Sequence, residues 1–209
     1  MSKLATEAAG EEADRIVPGS PREADLSKDW AKETAIVVAA SVFVALCARV
    51  TVPLPFTPVP LTLSNFAVLA VGLTLGSRRG FAALVLYLTE GAVGLPVFSM
   101  GGGTAYLLGA TGGFLFAYPA VAFVAGWLYE RGSERSAGRF VRAVLASVVA
   151  EGLLFAAGLS WLAWWTHSVS TAIRYGLYWF VFAEVIKILM AAALAVRWTQ
   201  RSYPAQEPQ

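Results

Sequence analysis

Charge is scarce in this 209-residue chain. Asp, Glu, Lys and Arg make up 14% of it and apolar residues 57%, against ~25% and ~45–50% in soluble domains. That balance excludes an ordinary soluble domain. The single cysteine, Cys47, excludes an internal disulfide, and its place in an apolar run marks it as a small buried residue. The single histidine, His167, lies in a short polar loop. No Cys, His and carboxylate cluster has metal-ligand spacing, so no metal site or cofactor is expected. The triple glycine Gly101 to Gly103 is not followed by Gly-Lys-Ser/Thr, so the chain carries no phosphate loop and is not expected to hydrolyse ATP. No basic stripe points to nucleic acid. No basic n-region with a short apolar core opens the chain, so no cleaved signal peptide is expected.

Apolar segments separated by short polar connections fill most of the length. At ~20 residues per span the chain holds about six, which predicts an all-α membrane protein. The segments run Thr34–Val50, Leu61–Leu75, Phe81–Val93, Gly112–Tyr129, Ala143–Trp164 and Tyr175–Val196. Pro53 and Pro55 end the first, since proline cannot continue the backbone ladder. Segments two and three are short for spans and are joined by the tight charged turn Gly76–Gly80. Residues 1–33 carry five basic and eight acidic residues and read as a disordered or surface-lying tail. Residues 34–198 form the transmembrane domain, and 199–209 are a polar C-terminal tail.

Orientation follows from the basic residues. With both termini in the cytoplasm, the tails, the Arg78-Arg79 turn and the Glu130–Arg142 loop are inside. Of the sixteen Lys and Arg, only Arg49, Arg174 and Lys187 then lie elsewhere, the expected positive-inside bias. Two uncharged loops face outward. One is Val52-Pro-Leu-Pro-Phe-Thr-Pro-Val-Pro60; the other runs from Leu95 through Gly101-Gly102-Gly103 to Gly113. Irregular backbone near membrane depth is tolerated only where protein or a water-filled cavity satisfies it. Short segments interrupted by Gly and Pro point to a substrate site. The two loops together predict a pocket open to the outside.

Four ionisable side chains fall inside apolar segments: Glu90, Glu151, Glu184 and Lys187. A charge at the bilayer centre costs ~2.5–3.5 kcal/mol on insertion scales, so such residues face the interior, pair up or sit near an interface. Glu184 and Lys187 are three apart and share a helix face. They form either a self-neutralising structural pair or a polar fixture for a ligand. Glu90 ends segment three and is as readily interfacial as functional. Glu151 is expected to pack against another polar group. Gly72 and Gly76, four apart, predict close helix packing. Ala35, Ala39 and Ala40 form a second small-residue face, for internal packing or a partner helix. The seven tryptophans lie mostly near span ends, as interfacial belts do.

Both loops resemble the BioY family, the biotin-binding S components of energy-coupling factor (ECF) transporters. The resemblance rests on Pro53-Leu-Pro-Phe-Thr-Pro-Val-Pro-Leu-Thr-Leu-Ser-Asn-Phe66 onward to Gly80. It rests also on Tyr87-Leu88, Gly91, Gly94-Leu-Pro-Val-Phe98 and Gly109-Ala-Thr-Gly-Gly-Phe114. It covers about Ala35 to Val196 and is densest from Pro53 to Gly113. It implies a six-helix S component in the cell membrane, with an outward pocket closed by the loops after helices 1 and 3. By position, the cap is Pro53–Pro60, including Phe56, Thr57, Pro58 and Val59, with Thr62. The lining is Tyr87, Gly91, Gly94, Pro96, Phe98, Gly102, Gly103 and Tyr106, and the polar pair is Glu184 and Lys187. Ala35, Ala39 and Ala40 would face the membrane partner. The implied partners are a transmembrane coupling protein and two ATPase subunits. The chain departs from the family at Ala110, usually proline, and at Phe182-Ala183-Glu184, where an aspartate usually follows Pro-Gly.

Biotin offers an apolar ring and chain, a ureido group and a carboxylate. Such a ligand suits a largely apolar pocket with a few placed polar groups. Glu184 would accept from a ureido N–H, Lys187 would donate to an anion or carbonyl, and amides exposed by the glycines would serve either end. The intramembrane acids form no recognisable nucleophile–base pair, so an enzyme is not expected. The alternatives are an S component for a different vitamin and a structural or assembly membrane protein.

Overall fold

The computed structural model describes residues 21–132 and 138–202. The chain divides into two compact units, Met1–Ile36 and Val37–Gln209. In chain order the elements are α1 (Pro21–Arg49), β1 (Thr51–Val52), β2 (Leu61–Thr62), α2 (Ser64–Leu75), α3 (Ser77–Ala92), α4 (Thr104–Leu107), α5 (Gly112–Glu130), α6 (Arg139–Thr166), α7 (Val169–Gly176) and α8 (Val181–Ser202).

The first helix starts earlier than the sequence predicts. It opens at Pro21, since proline's missing N–H is harmless in the first turn, and passes through Thr34 unbroken. Glu23, Ala24, Leu26 and Lys28 are strong helix formers, so low hydrophobicity does not prevent a helix here. The rest of the N-terminal tail lies outside the described residues, as do 133–137 of the charged loop and 203–209 of the C-terminal tail.

Within the second unit α5 is central and packs on α2, α3 and α6. α2 also meets α8, and α6 meets α7 and α8. Small residues permit the closest of these approaches. A Cβ on Gly72 would stand 2.4 Å from the Ala122 carbonyl oxygen, and one on Gly126 would stand 2.6 Å from the Gly72 oxygen. Gly76 serves a different need. With φ at 88° it alone turns the chain between α2 and α3, its N–H bonded to Gly72 O and its C=O to the Gly80 N–H. Helix α3 therefore starts at Ser77, and Arg78-Arg79-Gly80 are helical.

The core is apolar, yet several polar groups are buried in it while many large apolar side chains face outward. Ser41, Ser64, Ser147, Glu151, Glu184 and Lys187 are buried, while Val38, Val42, Leu46, Leu145, Val149, Val185 and Leu189 are exposed. On α1 the exposed residues recur every fourth position, and Ala40, Val44 and Ala48 form the buried face. An apolar exterior with the few ionisable side chains turned inward is what lipid demands. Among the described residues three helices are long and apolar enough to cross a bilayer: Asp29–Arg49, Gly112–Glu130 and Arg139–Thr166. The pair α7 and α8, bent by 51°, makes a fourth if it is one span. The chain is a multi-pass membrane protein. At 1.5 Å per residue, α2 is about 18 Å long and α3 about 24 Å, both short of the ~30 Å hydrocarbon core.

Candidate functional site: a cleft at the head of the last helix

The sequence predicts one unbroken final segment from Tyr175. The structure divides it at Leu177–Phe180. The break puts Phe180 in a cleft wall and Glu184 in the first turn of α8, its N–H bonded to Phe180 O at 2.9 Å. A carboxylate in a first turn faces the positive end of the helix dipole. One turn on, Lys187 Nζ donates to Glu184 Oε1 at 2.7 Å. Both are almost wholly buried, at 3% and 6% exposure. An ammonium has three donors, and this bond uses one.

The cleft has an empty volume of about 560 Å³, counting the solvent at its mouth. Its walls are chiefly aromatic. Tyr87 of α3, Tyr106 of α4, Phe114 and Tyr118 of α5, Phe155 of α6 and Phe180 line it, with Glu184 and Lys187 as its only charged residues among those described. The rings brace one another: Tyr87 stacks on Tyr118 at 6.4 Å, and Phe98 stacks on Tyr106 at 5.2 Å. Tyr118 OH donates to Asn65 Oδ1 at 3.0 Å, and the Ser99 and Tyr106 hydroxyls bond at 2.6 Å. The result is a largely apolar cleft with a few polar atoms and one ion pair, the kind of lining that suits a small organic molecule.

Of the residues that the sequence assigns to the site, Val59, Pro60, Thr62, Tyr87, Tyr106, Glu184 and Lys187 line the cleft. The rest stand behind it or on its rim. Phe98 is fully buried, and its ring fills the place a Cβ on Gly91 would need, 1.9 Å away. Gly102 lies against Leu95 O, where a Cβ would come to 2.1 Å. The N–H groups of Gly94 and Gly103 both bond to Gly91 O, and that of Gly101 to Phe98 O. The glycine-rich loop thus satisfies those amides itself, and the cleft wall there is made of side chains. Pro96 is exposed and its carbonyl accepts from the Arg49 guanidinium. In the first loop the register Thr51↔Thr62 and Val52↔Leu61 closes a small hairpin. Thr57 Oγ1 donates to Tyr175 O at 2.9 Å, and Phe56 packs on Trp179 at 4.7 Å. Pro58 is exposed on this strap across α7.

Ala35 and Ala39 are exposed, but Ala40 is buried. One residue is about 100° of helix rotation, which takes Ala40 off their face and into the core. Glu90 is half-buried, and its carboxylate accepts from Ser41 Oγ at 2.5 Å. Glu151 is 4% exposed, and the charges acting on it are those of Glu184 and Lys187. Sequence reasoning assigns no role to Asn65, Ser99 or Tyr118. A polar-tipped residue before Pro119 in an apolar helix is the one signal that marks Tyr118 out.

Comparison with known proteins is consistent along the chain. A sequence model of the BioY family matches residues 20–203. "Biotin transporter BioY" of Thermotoga maritima is 35% identical over 163 residues, covering 77% of this chain and 94% of the relative. "Probable biotin transporter BioY" of Pyrococcus horikoshii is 33% identical over 168 residues, covering 80% and 96%. The crystal structure of the S-component for biotin from an ECF-type ABC transporter superposes with a TM-score of 0.71. It covers 83% of this chain and 93% of that one at 23% identity, a likeness of fold. With the match running almost from end to end of the described residues, the chain belongs to the BioY family.

Proposed function

We propose that this chain is the substrate-binding subunit of an ECF transporter and captures biotin from outside the cell. The observation that carries the reading is the buried Glu184–Lys187 pair in the wall of an aromatic cleft, in a chain of the BioY family. The rings suit the thiophane ring and valeryl chain. The pair supplies an acceptor for a ureido N–H and donors for a carbonyl or carboxylate. The chain is a transport subunit and not an enzyme. Six helices, α1, α2, α3, α5, α6 and α8, cross or enter the cell membrane with both termini in the cytoplasm, and the cleft faces out. Val59, Thr62, Tyr87, Tyr106, Glu184 and Lys187 touch the ligand. Phe56, Thr57 and Pro58 close over it, while Gly91, Pro96, Phe98, Gly102 and Gly103 shape the wall from behind. A coupling protein and two ATPase subunits energise release inward, with Ala35 and Ala39 on a smooth face for docking.

The test is a thermal-shift titration of the detergent-purified protein with biotin and a panel of other vitamins. A ligand that binds only the folded state at ~100 times its Kd adds roughly 2.7 kcal/mol. Stabilisation by biotin is expected. A response to another vitamin alone would move the specificity, with Glu184 in place of the family's aspartate as the first suspect. No response to any would leave a structural membrane protein.

A further inference from the structure

Asparagine at the head of a helix is ordinarily a cap. Asn65 is not. The N-cap of α2 is Leu63, no side chain caps the helix, and Asn65 is the second residue inside it. An amide side chain is a mediocre helix former and is costly to take out of water unless it is bonded. Its presence in this apolar segment therefore calls for a cause. Part of that cause lies on α5, where Tyr118 OH donates to Asn65 Oδ1 at 3.0 Å. Among the described residues this is the one hydrogen bond that the Asn65 side chain makes. An amide carries two N–H donors besides its oxygen, and the bond to Tyr118 uses neither.

Asn65 and Tyr118 both line the cleft, and Asn65 is only half-buried there. Much of the remaining polar wall is engaged within the protein. The Ser99 and Tyr106 hydroxyls bond each other, and Tyr87 OH donates to Val97 O at 3.3 Å. Thr62 Oγ1 accepts from the Ser64 N–H at 3.3 Å, and Lys187 donates to Glu184. A hydroxyl can rotate from one partner to another. A planar amide cannot: with its oxygen held, the directions of its two N–H groups are set. We infer that Asn65 binds the ligand, its NH2 group donating to an oxygen of biotin, either that of the ureido group or one of the carboxylate. Tyr118 is a positioning residue that acts through Asn65, holding the amide oxygen away from the ligand. Without the hydroxyl the amide is free to turn end for end and set an acceptor against an acceptor. Glu184 serves the ligand's N–H groups. Asn65 adds a fixed, uncharged donor for its oxygens, which an ammonium on a flexible stem does not supply.

This inference rests on the biotin reading, and the experiment separates the two. Biotin affinity is measured by calorimetry on the purified full chain for wild type, Asn65→Leu, Tyr118→Phe and the double variant. Asn65→Leu, close in size, should bind about ten-fold more weakly, since a ligand oxygen is left without its donor. Tyr118→Phe should lose about three-fold alone and nothing further in the Asn65→Leu background, because its effect passes through the amide. Additive losses would overturn the positioning role, and unchanged affinity in Asn65→Leu would overturn the contact. Should Asn65→Leu fail to fold, the double variant, which leaves neither partner unmatched, is compared with Tyr118→Phe and should bind about three-fold more weakly. Two analogues test whether the contact is direct: 2-thiobiotin, with sulfur for the ureido oxygen, and a biotin with methyl in place of the carboxylate. The wild-type advantage over Asn65→Leu should vanish for one analogue and persist for the other. Persistence for both would make the effect one of cleft shape and overturn the proposal. A wild type that binds no biotin would sink the biotin reading and this inference with it. A wild type that binds, with Asn65→Leu its equal, would sink the inference alone.

Discussion

Two sets of carboxylates lie in this molecule, and their environments are the reverse of what solvation alone would set. Glu130, at the end of α5, is exposed, yet both its oxygens are engaged. Ser77 N–H bonds to Oε1 and Ser77 Oγ to Oε2, each at 2.9 Å. Glu184 and Glu151 are buried, yet three of their four oxygens have no hydrogen-bond partner. Water could satisfy Glu130, so its bonds to the head of α3 act as a cap that ties two helices together. Around it the backbones close up through Gly72, Gly76 and Gly126. At the cleft, aromatic side chains form much of the wall and carboxylate oxygens are left unmatched. One region has its polar atoms bonded within the folded protein; the other leaves polar atoms that a bound ligand would match.

The sharpest way to break this comparison is to remove the cation. Lys187→Ala leaves Glu184 and Glu151 buried without a counter-charge. Breaking a buried pair costs about 3–5 kcal/mol. Biotin should then produce no thermal shift, and the ligand-free protein should melt lower. Normal binding by this variant would make the pair structural and place the ligand's polar contacts elsewhere.

A smaller loss of stability is expected at the closed region. In Gly72→Ala the new methyl meets the Ala122 carbonyl oxygen at 2.4 Å. Backbone must move, and overpacking of this kind costs about 1–3 kcal/mol. Thermal unfolding should report the loss, while biotin affinity per folded molecule stays at the wild-type value. Lost affinity at unchanged stability would mean that the two regions are mechanically coupled.

The segments with a strong apolar signal were legible in the sequence, and so was the site's polar centre. Charge inside an apolar run is expensive wherever it occurs, so Glu184, Lys187 and Glu151 stand out without any structure. The Gly72 contact was legible for a similar reason: small residues at helical spacing have few other uses. Three features were not. The break before α8 has no proline to announce it; Gly176 is buried with Leu159 and Leu162 against it, a tertiary cause. The hairpin of β1 and β2 is two residues deep, too short to show a period. The glycine-rich loop was assigned to the ligand because its amides looked available, but pairing within the loop depends on φ values of 99° at Gly94 and 97° at Gly103. Glycine permits that conformation without revealing it. The early start of α1 was hidden by polarity, which argues against a membrane span but not against a helix.

The smallest effect is expected at Glu130 itself. Glu130→Ala removes the acceptor for the Ser77 N–H and hydroxyl, at a site open to water. Loss of a capping side chain costs about 1 kcal/mol, here softened because solvent reaches the freed groups. Glu130→Gln keeps an acceptor and loses only the charge facing the α3 N-terminus, a term of about 0.3–1 kcal/mol that salt screens. Melting temperatures should therefore rank wild type, Gln, Ala, with the gap between wild type and Gln closing at high salt and biotin affinity unchanged throughout. The same Glu→Ala change at Glu184 should leave the protein folded and unable to bind. If Glu130→Ala instead costs as much stability as Lys187→Ala, hydrogen-bond satisfaction outweighs burial in this fold. The unmatched oxygens at the cleft would then need another explanation than a bound ligand.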